Sequence, residues 1–103
     1  MANNIQYSGE TDSDVAVEFD IPPQYKVVFY NDDYTTMEFV VEVLMTFFNK
    51  TLEEANSLML EIHESGRGVA GVYPYDIAAT KARSVIQKAR ANGFPLQVKV
   101  EED

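Results

Sequence analysis

The residue pattern predicts an α+β fold: a two-layer β-α-α-β-α-β domain, with a small antiparallel sheet, three helices on one face and a disordered N-terminal tail. Three observations predict it. Residues 25–30, 68–73 and 95–100 are short runs rich in β-branched or alternating apolar residues, which read as strands. The stretches between them repeat apolar residues at helical spacing. Residues 1–20 have neither pattern, and carry Glu10, Asp12, Asp14, Glu18 and Asp20 with no Lys or Arg.

The elements follow in order. Residues 1–21 form an acidic N-terminal extension, and Pro22-Pro23 opens a core domain over 22–103. The first strand ends in the turn chemistry of Asn31-Asp32-Asp33. Thr35, with Glu38 three residues on, reads as a capping box that opens a helix with Val40, Val43, Leu44, Phe47 and Phe48 on its apolar face. Asn49-Lys50 is a short connection. Thr51 with Glu54 repeats the box and starts a second helix, whose face is Ala55, Leu58, Met59 and Ile62 and whose stop is Gly66. So short a link favours two antiparallel packed helices. The glycines of the second strand suggest a bulge or a close backbone approach. Pro74 and Asp76 suit the first turn of a third helix, buried through Ala78, Ala82, Val85, Ile86 and Ala89 and ended by Gly93. In the last strand Leu96, Val98 and Val100 share a face opposite Gln97 and Lys99.

Composition narrows the function. The 103 residues suit one domain, and a net charge of −9 argues against nucleic acid as a partner, because phosphate binding needs clustered Lys and Arg. An acidic surface attracts cations instead, including the ammonium of a peptide N-terminus. There is no cysteine, so neither a disulfide nor a thiolate metal site can form. No apolar run reaches the ~20 residues of a membrane helix, and the start carries no signal or transit pattern. These features together predict a cytoplasmic protein with no membrane association.

Three features carry candidate chemistry. The Asn31 to Thr35 corner is by pattern a hydrophilic turn with a cap. His63, the only histidine, lies on a helix beside Met59 and Ile62, where an imidazole is ordinarily structural or solvent-facing. Met37 sits in the first helical turn next to the acidic corner, where Met is ordinarily core filler. Taken together they describe a pocket. A free amino terminus is a cation with donors and no acceptor, and Asn31, Asp32 and His63 offer amide, carboxylate and imidazole acceptors for it. Met37, Val40, Met59 and Ile62 would wall an apolar slot for the first side chain. An enzyme is disfavoured: no nucleophile motif of the G-x-S-x-G kind occurs, and no ligand spacing recommends a metal. No cofactor is expected.

Residues 22–102 resemble the ClpS family, bacterial adaptors that deliver N-end-rule substrates to the ClpA or ClpC unfoldase of a Clp protease. The resemblance is carried by Pro-Pro-x-Tyr-Lys-Val at 22–27, Asn-Asp-Asp-Tyr-Thr-x-Met-Glu-Phe-Val at 31–40 and Leu-Met-Leu-x-Ile-His at 58–63, with Gly71-Val72, Thr80-Lys81 and Pro95-Leu96. It implies that Asn31, Asp32 and His63 receive the α-amino group, that Asp33 and Thr35 form the rim, and that Met37, Val40, Met59, Ile62 and Leu96 shape the slot with Met37 as gatekeeper. It also implies N-degron substrates beginning with Leu, Phe, Tyr or Trp, and an unfoldase-facing surface that includes Tyr34, Asp76 and Lys81. Thr36 stands where the family often has Pro, and Asp76 where Glu is common. A second class remains open: the C-terminal domain of the ribosomal stalk protein has a similar element order and binds translation factors, but would not need an Asn-Asp-Asp corner opposite a His.

Overall fold

A computed structural model describes residues 21–103. The acidic segment 1–20, with the expected tail, lies outside the described residues. The elements are β1 (Gln24–Tyr30), α1 (Met37–Phe48), α2 (Leu52–Ser65), β2 (Arg67–Pro74), α3 (Tyr75–Ala91) and β3 (Gln97–Glu102). The order is the expected β-α-α-β-α-β. β1 is the central strand and pairs antiparallel with both neighbours, in the sheet order β2-β1-β3.

Alternation along the strands divides the sheet into two chemistries. Val27, Phe29, Val98 and Ala70 point into one core with Val43, Leu44 and Phe48 of α1, Ala55 and Ile62 of α2, and Ala78, Ala82, Val85 and Ala89 of α3. The other face is polar at its rim: the Tyr30 hydroxyl donates to Glu101, Arg67 pairs with Glu101 at 2.9 Å, and Arg67 and Lys99 lie over the Tyr30 ring. The three helices therefore cover one face only.

β2 has both a bulge and a close backbone approach, but only the second falls on a glycine. The register against β1 shifts between Val27 and Val28, leaving Ala70 as the extra residue of a bulge. Gly68 lets α2 approach closely: a Cβ there would meet Ile62 Cγ1 at 2.8 Å and Leu58 Cδ1 at 3.0 Å.

Two starts differ from expectation. Thr36, not Thr35, caps α1, its hydroxyl accepting from the Phe39 N–H at 3.1 Å, so Glu38 is no capping-box partner. Thr35 is engaged by Asp32 instead. Pro74 precedes α3 as its cap residue, and Asp76 alone supplies the acid of the first turn. At α2 the Thr51–Glu54 box forms in both directions, at 3.1 and 2.9 Å. Gly66 closes this helix at φ 92°. Asn49 ends α1 at φ 57°, a left-handed conformation that Asn tolerates better than most residues. No described helix is long and apolar enough to cross a membrane.

Candidate functional site

The site begins where β1 leaves the sheet. The Asn31 N–H donates to the Gly66 carbonyl at 3.0 Å, tying the end of β1 to the end of α2. This bond sets the Asn31–Asp32 corner against the last turn of α2, where His63 lies. Asp32 then folds the corner. Its Oδ1 accepts from the backbone N–H of Tyr34 at 2.8 Å and of Thr35 at 2.7 Å, and its Oδ2 accepts from the Thr35 hydroxyl at 2.8 Å. This is the local side-chain-to-backbone bonding that makes Asp a turn former. Burial pushes the Asp32 carboxyl up, but these three hydrogen bonds, with the Arg90 guanidinium, outweigh it and hold the group below its ordinary value. Asp32 is thus an anion with one acceptor position left on Oδ2.

Corner, α1 and α2 enclose a cavity of about 230 Å³. Its polar lip is Asn31, Asp32, Asp33, Thr35 and His63. Its apolar wall is Met37 and Val40 from α1 with Met59 and Ile62 from α2. Val40 and Ile62 are core residues, 7% and 3% exposed, and form a fixed floor; Met37 is 43% exposed and stands at the mouth. Nine of the ten residues expected to bind a first residue line this one cavity. The tenth, Leu96, is not in the lining: it is buried in the core at 1% exposure, and its carbonyl accepts from Arg90 at 2.9 Å.

The three residues expected at a partner surface stand elsewhere. Tyr34 is 77% exposed beside the corner. Asp76 is exposed in the first turn of α3. Lys81 is half-buried, donates to the Phe47 carbonyl at 2.7 Å, and has its ammonium over the rings of Phe48 and Tyr73. Lys81 therefore also holds α3 to the end of α1.

Sequence reasoning missed Arg90. It bonds the Phe94 and Leu96 carbonyls, each at 2.9 Å, and its charge favours ionised Asp32. Its only sequence signal is a basic residue in the last turn of a helix. A larger groove of about 570 Å³ lies elsewhere on α2, against Val69 of β2. It is wide open and walled largely by Glu53, Glu54 and Glu61, without the fixed apolar floor of the smaller cavity.

Comparison with known proteins follows the same outline. A family model described as "ATP-dependent Clp protease adaptor protein ClpS" matches residues 20–99. The ATP-dependent Clp protease adapter protein ClpS of Wolinella succinogenes is 56% identical over 81 residues, 79% of each chain. That of Desulforapulum autotrophicum is 48% identical over 93 residues, 90% of this chain and 89% of the other. The solved structure of Agrobacterium tumefaciens ClpS2 bound to L-phenylalaninamide matches with a TM-score of 0.78 at 37% identity, over 81% of this chain and 100% of that one.

Proposed function

The chain belongs to the ClpS family of Clp protease adaptors, and from that premise we propose that it binds polypeptides through a free N-terminal Leu, Phe, Tyr or Trp and delivers them to a ClpA- or ClpC-type AAA+ unfoldase in the cytoplasm. The observation that supports the reading is the 230 Å³ cavity, which has acceptors at one end and a fixed apolar floor. An ammonium has donors only, so it matches acceptors on the ionised Asp32, the Asn31 amide oxygen and a ring nitrogen of His63. The adjoining slot takes one apolar side chain of moderate size. L-phenylalaninamide, the ligand of the similar Agrobacterium protein, has both parts: a free α-amino group and a benzyl side chain.

In this reading Asn31, Asp32 and His63 hold the amino group, Asp33 and Thr35 form the rim, and Met37, Val40, Met59 and Ile62 select the side chain. Leu96 acts behind the slot, as core. Tyr34, Asp76 and Lys81 face the unfoldase, and residues 1–21 act in delivery while 22–103 bind the substrate. Each part of the work is recognition, and no step requires a catalytic group. The test is a fluorescence titration with peptides that differ only in the first residue. Leu, Phe, Tyr and Trp peptides bind in the same range while Asp, Lys and Gly peptides do not. Indifference to the first residue contradicts the proposal.

A further inference from the structure

A second hollow of about 360 Å³, a shallow cavity open to the surface, adjoins the first. It lies between α1 and α2 and is lined by Met37, Glu38, Val41, Asn56 and Met59. Met37 and Met59 line both cavities, and they are the only residues common to the two. The partition is thus a pair of methionines, one from each helix. Neither is locked in the core: Met37 is 43% exposed and Met59 is half-buried. Methionine is unbranched, with three rotatable bonds, and yields to neighbours where Leu or Ile would clash. The remaining apolar walls of the first cavity, Val40 and Ile62, are buried and β-branched, and do not yield.

We propose that Met59, acting with Met37, sets the upper size limit of the first side chain, and that the α1–α2 cavity is the space which that limit closes off. The inference rests on the first-residue reading above. Two physical points support it. Among the apolar walls of the slot, only the Met37–Met59 side can yield without moving core residues, and that side opens into existing volume. The second cavity is apolar at Met37, Val41 and Met59, with Glu38 and Asn56 as its polar members, so it suits a hydrocarbon ring better than a charged group. The ligand class it would admit is a peptide whose first side chain carries a second ring joined end-on to the first, as in a biphenyl, and so reaches further than the fused indole of Trp. In the unaltered protein the two thioethers stop such a side chain while adjusting to differences among single side chains of ordinary size.

The test uses the full chain and two peptides identical after the first residue, one starting with Phe and the other with 4-phenylphenylalanine. Fluorescence anisotropy gives both affinities for wild type, for Met59→Ala, and for Met59→Ala combined with Asn56→Phe, which refills the second cavity. The expected result is a wild-type preference for Phe on the order of tenfold, the scale of discrimination that an apolar pocket achieves. Met59→Ala reduces that preference to about threefold or less, and Asn56→Phe restores it. Met59→Val, which shortens the side chain less drastically, moves in the same direction should the Ala variant melt at the assay temperature. A tenfold gap that persists in a Met59 variant able to bind the Phe peptide overturns the inference. So does a wild-type protein that binds both peptides equally. Failure of the wild type to bind the Phe peptide overturns the first-residue reading itself, and this is seen before any variant is measured.

Discussion

Asp32→Asn separates the two tasks that Asp32 performs. The Asn carbonyl oxygen replaces Oδ1 and still accepts from the N–H groups of Tyr34 and Thr35, which lie 2.8 and 2.7 Å away. The Thr35 hydroxyl, 2.8 Å from Oδ2, can turn to accept from the new amide. The corner therefore keeps its shape, and fold stability falls by less than about 1 kcal/mol, the net worth of one ordinary hydrogen bond. What disappears is the negative charge at the lip of the cavity. A carboxylate and an ammonium ~4 Å apart attract by about 4 kcal/mol at an effective dielectric constant near 20. Asp32 is only half-buried, so solvent screening reduces this, and about 2–3 kcal/mol is a reasonable loss. At about 1.4 kcal/mol per tenfold, the dissociation constant of a Phe-initiated peptide rises roughly 30- to 150-fold. Fluorescence anisotropy measures that constant, and a thermal melt followed by circular dichroism measures the fold. Binding within threefold of wild type refutes the electrostatic role of Asp32. A large drop in melting temperature shows instead that the residue is chiefly a turn former.

Three further outcomes are expected. Met37→Ala admits peptides beginning with Ile or Val, because a branched Cβ needs room beside the substrate backbone, where Met37 guards the mouth; unchanged discrimination removes the gatekeeper role. Gly68→Ala destabilises the fold by about 1–3 kcal/mol, since the new Cβ lies 2.8 Å from Ile62 Cγ1, and it weakens peptide binding because Ile62 is the floor of the slot; a melt and titration indistinguishable from wild type contradict the close-approach argument. His63→Ala weakens binding of a Phe-initiated peptide, because it removes one of the three acceptors offered to the amino group, and a titration of the variant against wild type measures the loss. Unchanged affinity in the His63→Ala protein returns His63 to a structural role. The folded-state pKa of Asp32 is depressed, so the stability it contributes is present above the ordinary carboxylate range and lost only as pH falls through its lowered value.

Much of this architecture is written in local patterns. The Thr51–Glu54 box needs only four consecutive residues, and it forms as the sequence predicts. Thr35 and Thr36 show where local rules fail. Both can cap a helix, and Glu38 favours Thr35, but Asp32 captures the Thr35 hydroxyl and N–H and leaves the cap to Thr36. That competition depends on a side chain outside the helix. Seven of the nine lining residues were legible because a polar corner and two helix faces with a short link have few ways to meet, whereas Asp33 and Thr35 as rim residues were implied by the family resemblance. Leu96 comes from family resemblance rather than from any pattern, and it lies in the core and not in the lining. Arg90 and the second cavity were not legible. They depend on how α3 packs beside the corner and on how α1 crosses α2, which no single segment encodes.

The central claim is that the cavity recognises a charged, free α-amino group. Titrating one Phe-initiated peptide against the same peptide acetylated at its amino terminus tests it most directly. Acetylation removes the charge and leaves Asp32, Asn31 and His63 facing a neutral amide, at about 1–3 kcal/mol for each acceptor left unpaired beneath the bound peptide. The expected result is that the free peptide binds and the acetylated one loses at least about a hundredfold in affinity, or shows no binding at all. Equal affinity for the two peptides would contradict it.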